Sequence, residues 1–216
     1  MPKNQYKSRK KVPFSLKKIG KTDFVLGVDE AGRGAWAGPV VAACVVWNGK
    51  NPLKNILRDS KKMNAQMRDI TYEEILQLAE KGKLSYGVGI IPNTIIDTVG
   101  IREANRLAMS EALSQVQNNN TYRLLIDGGD NYIFDIVDLP QPEYIIRGDS
   151  LVPQIMAASI VAKVTRDRLM VEYKITLPGY GFEKHKGYGT SLHQKALKKL
   201  GVSHIHRKSY KPMILI

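Results

Sequence analysis

The sequence predicts an α/β domain with a mixed, five-stranded central sheet flanked by helices. Five short apolar runs have the length and residue types of strands, and four other segments repeat apolar residues at helical spacing. These segments follow one another in the order β-β-α-β-α-β-β-α-α, which is typical of one sheet with helices packed on it. A length of 216 residues, of which 43% are hydrophobic, is sufficient for one such core.

The first two strands are predicted at residues 24–28 and 39–47. The segment that joins them contains Gly32, Gly34 and Gly38, which together indicate a tight connection. Because a short connection joins neighbouring strands that run in opposite directions, we expect these two strands to form an antiparallel pair. The predicted fold therefore opens with a hairpin.

The middle of the chain alternates between helix and strand. Thr71 and Glu74 have the spacing of a capping box, and the apolar face that follows them predicts a helix that ends at Gly82. A third strand is predicted over residues 84–91, where an alternating pattern becomes apolar. A second helix is predicted over residues 102–117 from the spacing of its alanines and leucines.

The last two strands and two helices complete the predicted domain. Strands are expected at residues 122–126 and 144–146, and a long helix at 153–171 with Ser150 as its N-cap. A final helix is expected at 191–200. The long helix carries a face of small residues that would let it approach the sheet closely, namely Ala157, Ala158, Ser159 and Ala162.

Basic residues are concentrated at the two ends of the chain. The formal net charge is +13, and residues 1–21 and 184–216 each contain eight basic residues and no acidic one. We interpret residues 1–20 as a basic flexible tail and 21–216 as a single domain with a basic, helical, substrate-binding carboxyl-terminal segment. Such a charge distribution favours polyanionic partners, nucleic acids first among them.

Cysteine content and hydropathy indicate a cytoplasmic location. Cys44 is the single cysteine, so neither a disulfide framework nor a cysteine-based zinc site can form within the chain. The amino-terminal segment has no apolar stretch of signal-peptide length, and no uncharged run is long enough to span a bilayer. We therefore expect no membrane association.

Acidic residues recur where predicted strands end. Asp29 follows the first strand, Asp127 follows the fourth, and Asp149 lies between the fifth strand and the long helix. Ligands of open α/β sheets bind at the carboxyl ends of strands, so these carboxylates are expected to converge around hard cations such as Mg²⁺ or Mn²⁺. Two such ions support phosphodiester hydrolysis. Glu30 joins this site only if the strand ends or bulges there, because adjacent strand residues point to opposite faces.

A glycine loop follows the acidic pair directly. Gly32 and Gly34 allow the backbone to approach a ligand closely, and Arg33 can bind a phosphate through two hydrogen bonds. The spacing of glycines over residues 32–38 does not match a dinucleotide-binding motif, and neighbouring carboxylates would repel a pyrophosphate. A dinucleotide site is therefore not expected here, and the close backbone approach would let the loop contact a sugar.

These motifs together resemble the ribonuclease HII family. The resemblance covers about residues 24–212 and includes motifs in the family's order: GVDEAGRG at 27–34, GPVVAA at 38–43, DSKK at 59–62, DG at 127–128, GD at 148–149, AASIVAKVTRD at 157–167, GYGT at 187–190 with His193, and HRKSY at 206–210. Ala35 and Trp36 stand where the family more often has a proline or other small residue, and they are expected to alter the packing of the loop.

The resemblance implies a ribonuclease H-like fold and a two-metal endonuclease. Such an enzyme cuts the RNA strand of RNA/DNA hybrids, incises DNA 5′ of embedded ribonucleotides and leaves 5′-phosphates. Position by position, the resemblance implies that Asp29, Glu30, Asp127 and Asp149 are the catalytic, metal-binding carboxylates, that Gly32, Arg33 and Gly34 recognise the ribose 2′-hydroxyl, and that Tyr188 senses the junction with DNA. Further substrate contacts are expected from Ser60, Lys61, Lys62, Lys184, Lys186, Arg207 and Lys208.

Two other functions stay open at this point. A catalytically silent protein that binds RNA/DNA hybrids would keep the basic ends, and another nuclease of the same fold would keep the metals without recognising the 2′-hydroxyl. A sliding clamp is an open partner, and a monomer is the default state. The four histidines do not favour zinc, because they lack a suitable set of accompanying ligands, and His204 or His206 is interpreted as a core or phosphate-contacting residue.

Overall fold

The computed structural model describes residues 24–47, 49–57, 63–116, 122–130, 132, 134 and 140–214. The predicted basic tail and the predicted contacts Ser60, Lys61 and Lys62 lie outside these residues. The described elements are, in chain order, β1 (Phe24–Ala31), β2 (Val40–Trp47), α1 (Ala65–Glu80), β3 (Ser85–Ile91), α2 (Asn93–Val99), α3 (Ile101–Ser114), β4 (Tyr122–Asp127), β5 (Glu143–Ile145), a 3₁₀ turn (Gly148–Ser150), α4 (Pro153–Thr176), α5 (Phe182–His185), α6 (Ser191–Leu200) and α7 (Lys211–Ile214).

The five strands form one mixed sheet in the order β3-β2-β1-β4-β5. β1 pairs antiparallel with β2, and β2 pairs antiparallel with β3. β4 pairs parallel with β1 on one side and with β5 on the other. The predicted hairpin and the predicted mixed sheet are both confirmed. The parallel half matters for function, because the carboxyl ends of β1, β4 and β5 meet at one edge of the sheet.

Helices cover both faces of the sheet. Leu26 and Val28 of β1 pack with Ala104 and Ala108 of α3 on one face, while the other face packs against α1 and α4. The approach of α4 is very close, since a Cβ atom on Gly27 would lie 2.3 Å from the backbone nitrogen of Ile155. The predicted small-residue face of α4 is confirmed, with these alanines fully buried: Ala157, Ala158 and Ala162.

One predicted helix start and one predicted helix cap were wrong. α1 begins at Ala65, where the Asn64 side chain accepts a hydrogen bond from the Met67 amide, and Thr71 is a buried residue inside the helix. An asparagine cap satisfies an otherwise unpaired amide of the first turn, so the helix starts earlier than the capping-box pattern predicts. Ser150 belongs to the 3₁₀ turn, and α4 starts from Val152 without a side-chain cap.

The carboxyl-terminal segment packs beside the end of α4 and against the loop after β1. Its apolar cluster includes Phe182 and Leu197 together with Ala37 and Met170, and an isolated β-bridge joins Ala37 to His206. The helices α2, α5 and α7 were not predicted from the sequence; they are seven, four and four residues long. Within the described residues, no helix has the length and apolar character required to cross a membrane.

Candidate active site

The strand register brings the predicted acidic residues to one edge. In the parallel pair of β1 and β4, Val28 lies opposite Ile126, so the next residues on the two strands are Asp29 and Asp127. Asp127 in turn lies opposite Ile145 of β5, and the chain then turns into the 3₁₀ segment that contains Asp149. The predicted convergence of the acidic residues therefore follows from the parallel arrangement of β1, β4 and β5.

Glu30 reaches this edge without the predicted break in the strand. β1 continues to Ala31, and Asp29 and Glu30 remain in register with Ala43 and Ala42 of β2. The expectation of a strand end or bulge at Glu30 was wrong. The two carboxylates instead leave opposite faces of the sheet: the Ser159 side chain on α4 is near Asp29 and counteracts the rise of its pKa, and the Asn105 side chain on α3 does the same for Glu30.

Burial and mutual repulsion make the ionised cluster costly. Burial, followed by the charges of Glu30 and Asp127, raises the pKa of Asp29 well above its ordinary value. Burial also raises the pKa of Glu30, against the opposing charge of Arg33. The pKa of Asp127 is raised by burial and then by the charge of Asp149. Each shift shows that burial and repulsion outweigh the hydrogen bonds and opposite charges that the protein supplies to the anionic form.

The donor set fits a hard divalent cation. All four side chains offer carboxylate oxygens, the ligand type that Mg²⁺ and Mn²⁺ prefer. In the described part of the chain, no three acidic, histidine or cysteine side chains lie close enough together to hold a metal ion by themselves. An open arrangement suits Mg²⁺, which usually binds to one or two carboxylates and completes its shell with water and substrate phosphate.

Backbone amides hold Asp127 in place. The Gly148 amide donates to one Asp127 carboxylate oxygen at 2.6 Å, and the Gly128 amide donates to the Ile145 carbonyl at 3.0 Å. A Cβ atom on Gly148 would lie 2.6 Å from the Ile155 side chain. The glycine of the GD motif therefore lets the turn before Asp149 pass between Asp127 and α4.

The two glycines of the loop have different surroundings. Gly32 has φ +94°, and a Cβ atom there would lie 2.0 Å from Nε of Arg166. At Gly34 a Cβ atom would meet no protein atom within 4 Å. Arg33, between them, forms ion pairs of 3.2 Å with Glu30 and 2.7 Å with Asp130. The fold therefore needs a glycine at 32 but not at 34, and the Arg33 guanidinium is held by two carboxylates.

Two buried arginines hold the segment that follows this loop. Arg166 donates to the carbonyls of Pro39, Lys186 and Ala37 at 2.9–3.1 Å. Arg207 donates to the carbonyls of Gly38, Pro39 and Arg33 at 3.0 Å. The predicted contact of Arg207 with the duplex was wrong, because its side chain is fully buried and its donors are used by the loop. Arg166 was not predicted as a functional residue. The signal that could have found it is its place on the buried face of α4, because Ala162 and Met170, four residues before and after it, are both buried.

Tyr188 lies beside the glycine loop. One open cleft is lined by residues of the loop, the acidic pair, α4 and the 187–190 segment, namely Glu30, Ala31, Gly32, Arg33, Gly34, Ser159, Lys163 and Tyr188. Lys163 Nζ lies 5.6 Å from the centre of the Tyr188 ring. Lys163 and Ser159 were not predicted as site residues; both lie within a quoted motif, and their i, i+4 spacing on α4 places them on one helix face.

The remaining predicted basic contacts differ in availability. Lys184 and Lys208 are exposed. Lys186 is partly buried, and its Nζ donates to the Glu183 carbonyl while its own carbonyl accepts from Arg166. Lys186 therefore supports the loop that carries Tyr188, and Lys184 and Lys208 stay predicted surface contacts.

Comparisons with the sequences of known proteins agree on one family. The Ribonuclease HII family model matches residues 26–213. A Ribonuclease HII of Leuconostoc mesenteroides is 47% identical over 191 residues, which are 88% of this chain and 71% of the relative. The chain has a ribonuclease H-like fold, as two solved structures show. One is the RNase HII of a PCNA:RNase HII complex from Archaeoglobus fulgidus, which matches with a TM-score of 0.68 and 22% identity over 87% of this chain and 95% of that chain. The other is Bst-RNase HIII in complex with Mn²⁺, which matches with a TM-score of 0.73 and 14% identity over 92% of this chain and 70% of that chain. On the sequence matches, the chain belongs to the ribonuclease HII family and is a type 2 ribonuclease H.

Proposed function

We propose that this ribonuclease H cuts the RNA strand of RNA/DNA hybrids and incises DNA on the 5′ side of embedded ribonucleotides. The observation that carries the proposal is the shared cleft, in which the acidic residue Glu30, the glycine loop and the Tyr188 side chain lie together. A strand in this cleft would present its sugar to the loop while its phosphate faces the carboxylates. Cleavage and recognition of the sugar would then occur on the same nucleotide.

The carboxylates Asp29, Glu30, Asp127 and Asp149 would hold two divalent ions, Mg²⁺ or Mn²⁺. Bound ions of this kind activate water and stabilise the leaving oxygen in phosphodiester hydrolysis. Water attacks the phosphorus, the bond to the 3′ oxygen breaks, and the products carry a 3′-hydroxyl and a 5′-phosphate. The protein's own part is to direct the carboxylates to one edge, which the amides of Gly148 and Glu30 support by donating to Asp127 and Asp29.

Recognition of ribose is assigned to the loop and to Tyr188. The 2′-hydroxyl is the group that distinguishes RNA from DNA, and it can both donate and accept a hydrogen bond. The backbone at Gly34 is open toward the cleft, so a sugar can approach it closely. The Tyr188 ring offers a flat apolar surface on which the sugar of the next, deoxyribose nucleotide can pack.

Cleavage of three duplexes tests the proposal. Wild type and Asp127→Asn would be compared on an all-DNA duplex, a duplex with one ribonucleotide and an RNA/DNA hybrid, each with Mg²⁺, Mn²⁺ or chelator. We expect wild type to cut the hybrid and the duplex with one ribonucleotide, the latter on the 5′ side of the ribonucleotide. This cleavage should be absent with chelator and in Asp127→Asn. Equal cutting of all-DNA would contradict the loop's role, and binding without cutting would favour the silent hybrid-binding alternative.

A single methyl group at Gly34 should separate recognition from folding. Gly34→Ala places its Cβ in open space, so the stability should stay within about 0.5 kcal/mol of wild type. Cleavage at a single ribonucleotide should fall at least about tenfold, because a misplacement of about 1 Å can cost a hundredfold. Thermal unfolding and initial rates measure the two effects.

Gly32→Ala provides the contrast at the same loop. Its Cβ would collide with Arg166 and its φ of +94° disfavours any side chain, so we expect a loss of about 1–3 kcal/mol of stability. Full cleavage by Gly34→Ala would show that the backbone does not approach the ribose closely.

The partners proposed are the two nucleic-acid substrates and a sliding clamp. Exposed Lys184 and Lys208 support a duplex contact outside the cleft. The clamp is supported by the relative from Archaeoglobus fulgidus, whose structure is a complex with PCNA. Co-elution with the clamp of the source cell would test this partner. A monomeric state and a cytoplasmic location stay predictions from the sequence.

A further inference from the structure

Three histidines form a buried cluster beneath the loop that carries Tyr188. His193 and His206 are fully buried and His185 is 7% exposed. The rings of His185 and His193 stack with centroids 4.3 Å apart, and Nε2 of His193 lies 3.0 Å from Nε2 of His206. These three residues are called the histidine cluster below. The proposed cleavage mechanism does not use them.

The hydrogen bonds fix the proton on each ring. His206 Nδ1 accepts from the Ser203 amide at 2.9 Å, so in the neutral ring the proton lies on Nε2 and is donated to His193. His193 then carries its proton on Nδ1 and donates it to the Tyr188 carbonyl at 3.1 Å. This chain of bonds requires neutral rings, since a second proton on either would place two donors opposite each other.

His185 holds the same loop from the other side. Its Nδ1 accepts from the Gly187 amide at 3.1 Å, and its Nε2 donates to the Tyr180 carbonyl at 2.9 Å. The backbone on both sides of the Gly187–Tyr188 peptide is thus bound by a neutral imidazole. Burial lowers the pKa of both His193 and His206 to about 4, which agrees with neutral rings.

Trp36 connects this cluster to the glycine loop. Its amide donates to the Gly187 carbonyl at 2.8 Å, and its ring centroid lies 5.7 Å from that of His193. A Cβ atom on Gly189 would lie 2.1 Å from the Trp36 ring. Trp36 was expected to alter the packing of the glycine loop, and it does so by contacting Gly187 and Gly189, the two residues that flank Tyr188.

We propose that His193 is a positioning residue that sets the backbone of Tyr188, and through it the preference for a ribonucleotide joined to DNA. His206 orients His193 by donating to its Nε2, and His185 stacks on it. The proposal rests on the proposed role of Tyr188 at the junction. No atom of the histidine cluster needs to touch the substrate, because its effect passes through the Tyr188 carbonyl.

Two amide substitutions at His193 separate positioning from simple structural support. The side-chain nitrogen of Asn occupies nearly the place of Nδ1 and can still donate to the Tyr188 carbonyl, whereas that of Gln extends to the place of Nε2. The readout is the selectivity ratio, defined as kcat/KM for one embedded ribonucleotide divided by kcat/KM for a uniform RNA/DNA hybrid. Tyr188→Ala fixes the lower limit of this ratio, and Glu80→Gln, at an exposed position at the end of α1, serves as the control.

We expect His193→Gln to lower the selectivity ratio about fivefold, which corresponds to the net contribution of one hydrogen bond. His193→Asn and Glu80→Gln should stay within about twofold of wild type. Cleavage of the uniform hybrid should change little in either His193 variant. If both variants change the ratio equally, or if neither does, the positioning role is overturned.

The same experiment distinguishes failure of the proposed role of Tyr188 from failure of the proposed role of His193. A wild-type ratio in Tyr188→Ala would overturn the proposed junction role of Tyr188. A lowered ratio in Tyr188→Ala with an unchanged ratio in His193→Gln would overturn the role of His193 alone. Should His193→Gln not fold, His206→Gln and His206→Asn replace it: Gln keeps a donor at the place of Nε2 and should keep the ratio, and Asn should lower it.

Discussion

Asp29→Asn is expected to abolish cleavage while making the metal-free protein more stable. Asp29 lies at the centre of the carboxylate cluster, with Glu30 beside it in the chain and Asp127 next to it across the sheet. Removing its charge should weaken metal binding and slow cleavage more than about a thousandfold, since a metal ion contributes several kcal/mol to stabilisation of the transition state. Initial rates on an RNA/DNA hybrid with Mg²⁺ and with Mn²⁺ measure this loss.

The gain in stability follows from the direction of the pKa shift. The pKa of Asp29 is higher in the folded protein than in the unfolded chain, so at neutral pH its ionised form costs free energy that Asn does not. We expect Asp29→Asn to raise the free energy of unfolding by about 1–2 kcal/mol in chelator. The difference should shrink as the pH falls through the folded-state pKa, because wild-type Asp29 then becomes neutral.

Thermal unfolding with and without Mn²⁺ completes this test. The ion should stabilise wild type, whose carboxylate cluster the protein compensates only in part, and should stabilise the variant much less. Asp69→Asn is the matched control, because Asp69 is an exposed carboxylate in an ion pair with Arg168, and it should stay within about 0.5 kcal/mol of wild type. Lower stability of Asp29→Asn in chelator would show that the protein itself compensates the Asp29 charge.

The edge of the sheet was predictable, and the way that Glu30 reaches it was not. An acidic residue after each of two apolar runs predicts convergence because ligands of α/β sheets bind at strand ends. The sequence pattern does not show that β1 stays paired with β2 through Ala31. The two faces therefore contribute one carboxylate each, and the neighbours Ser159 and Asn105 come from helices more than seventy residues away in the chain.

The basic residues show a second limit of sequence patterns. A net charge of +13 favours a nucleic-acid partner, but charge alone cannot distinguish Lys208, which is exposed, from its neighbour Arg207, which is buried. That distinction depends on which carbonyls the fold leaves without partners. The loop after β1 leaves several, and arginine is suited to them because its planar fork carries five donors.

Arg166→Lys should destabilise the protein strongly although it keeps the charge. The Arg166 guanidinium donates to three carbonyls, two of them on the segment after the glycine loop and one on Lys186 beside Tyr188. Burial lowers its pKa to about 10, so it remains charged at neutral pH. A single lysine nitrogen cannot reach all three carbonyls, and we expect a loss of about 2–4 kcal/mol from unpaired buried groups.

Arg168→Lys is the control on the same helix. Arg168 is exposed and pairs with Asp69 and Glu73, so its replacement should change stability by no more than about 0.5 kcal/mol. Urea unfolding measures both variants, and product mapping on a duplex with one ribonucleotide shows whether the cut stays on its 5′ side. Equal stability of the two variants would mean that charge, rather than the shape of the guanidinium, holds the loop. A large difference in stability, together with a loss of selectivity in Arg166→Lys, would mean that one buried side chain holds both recognition loops. Arg166 lies against Gly32 of the glycine loop, and it donates to the carbonyl of Lys186, two residues before Tyr188.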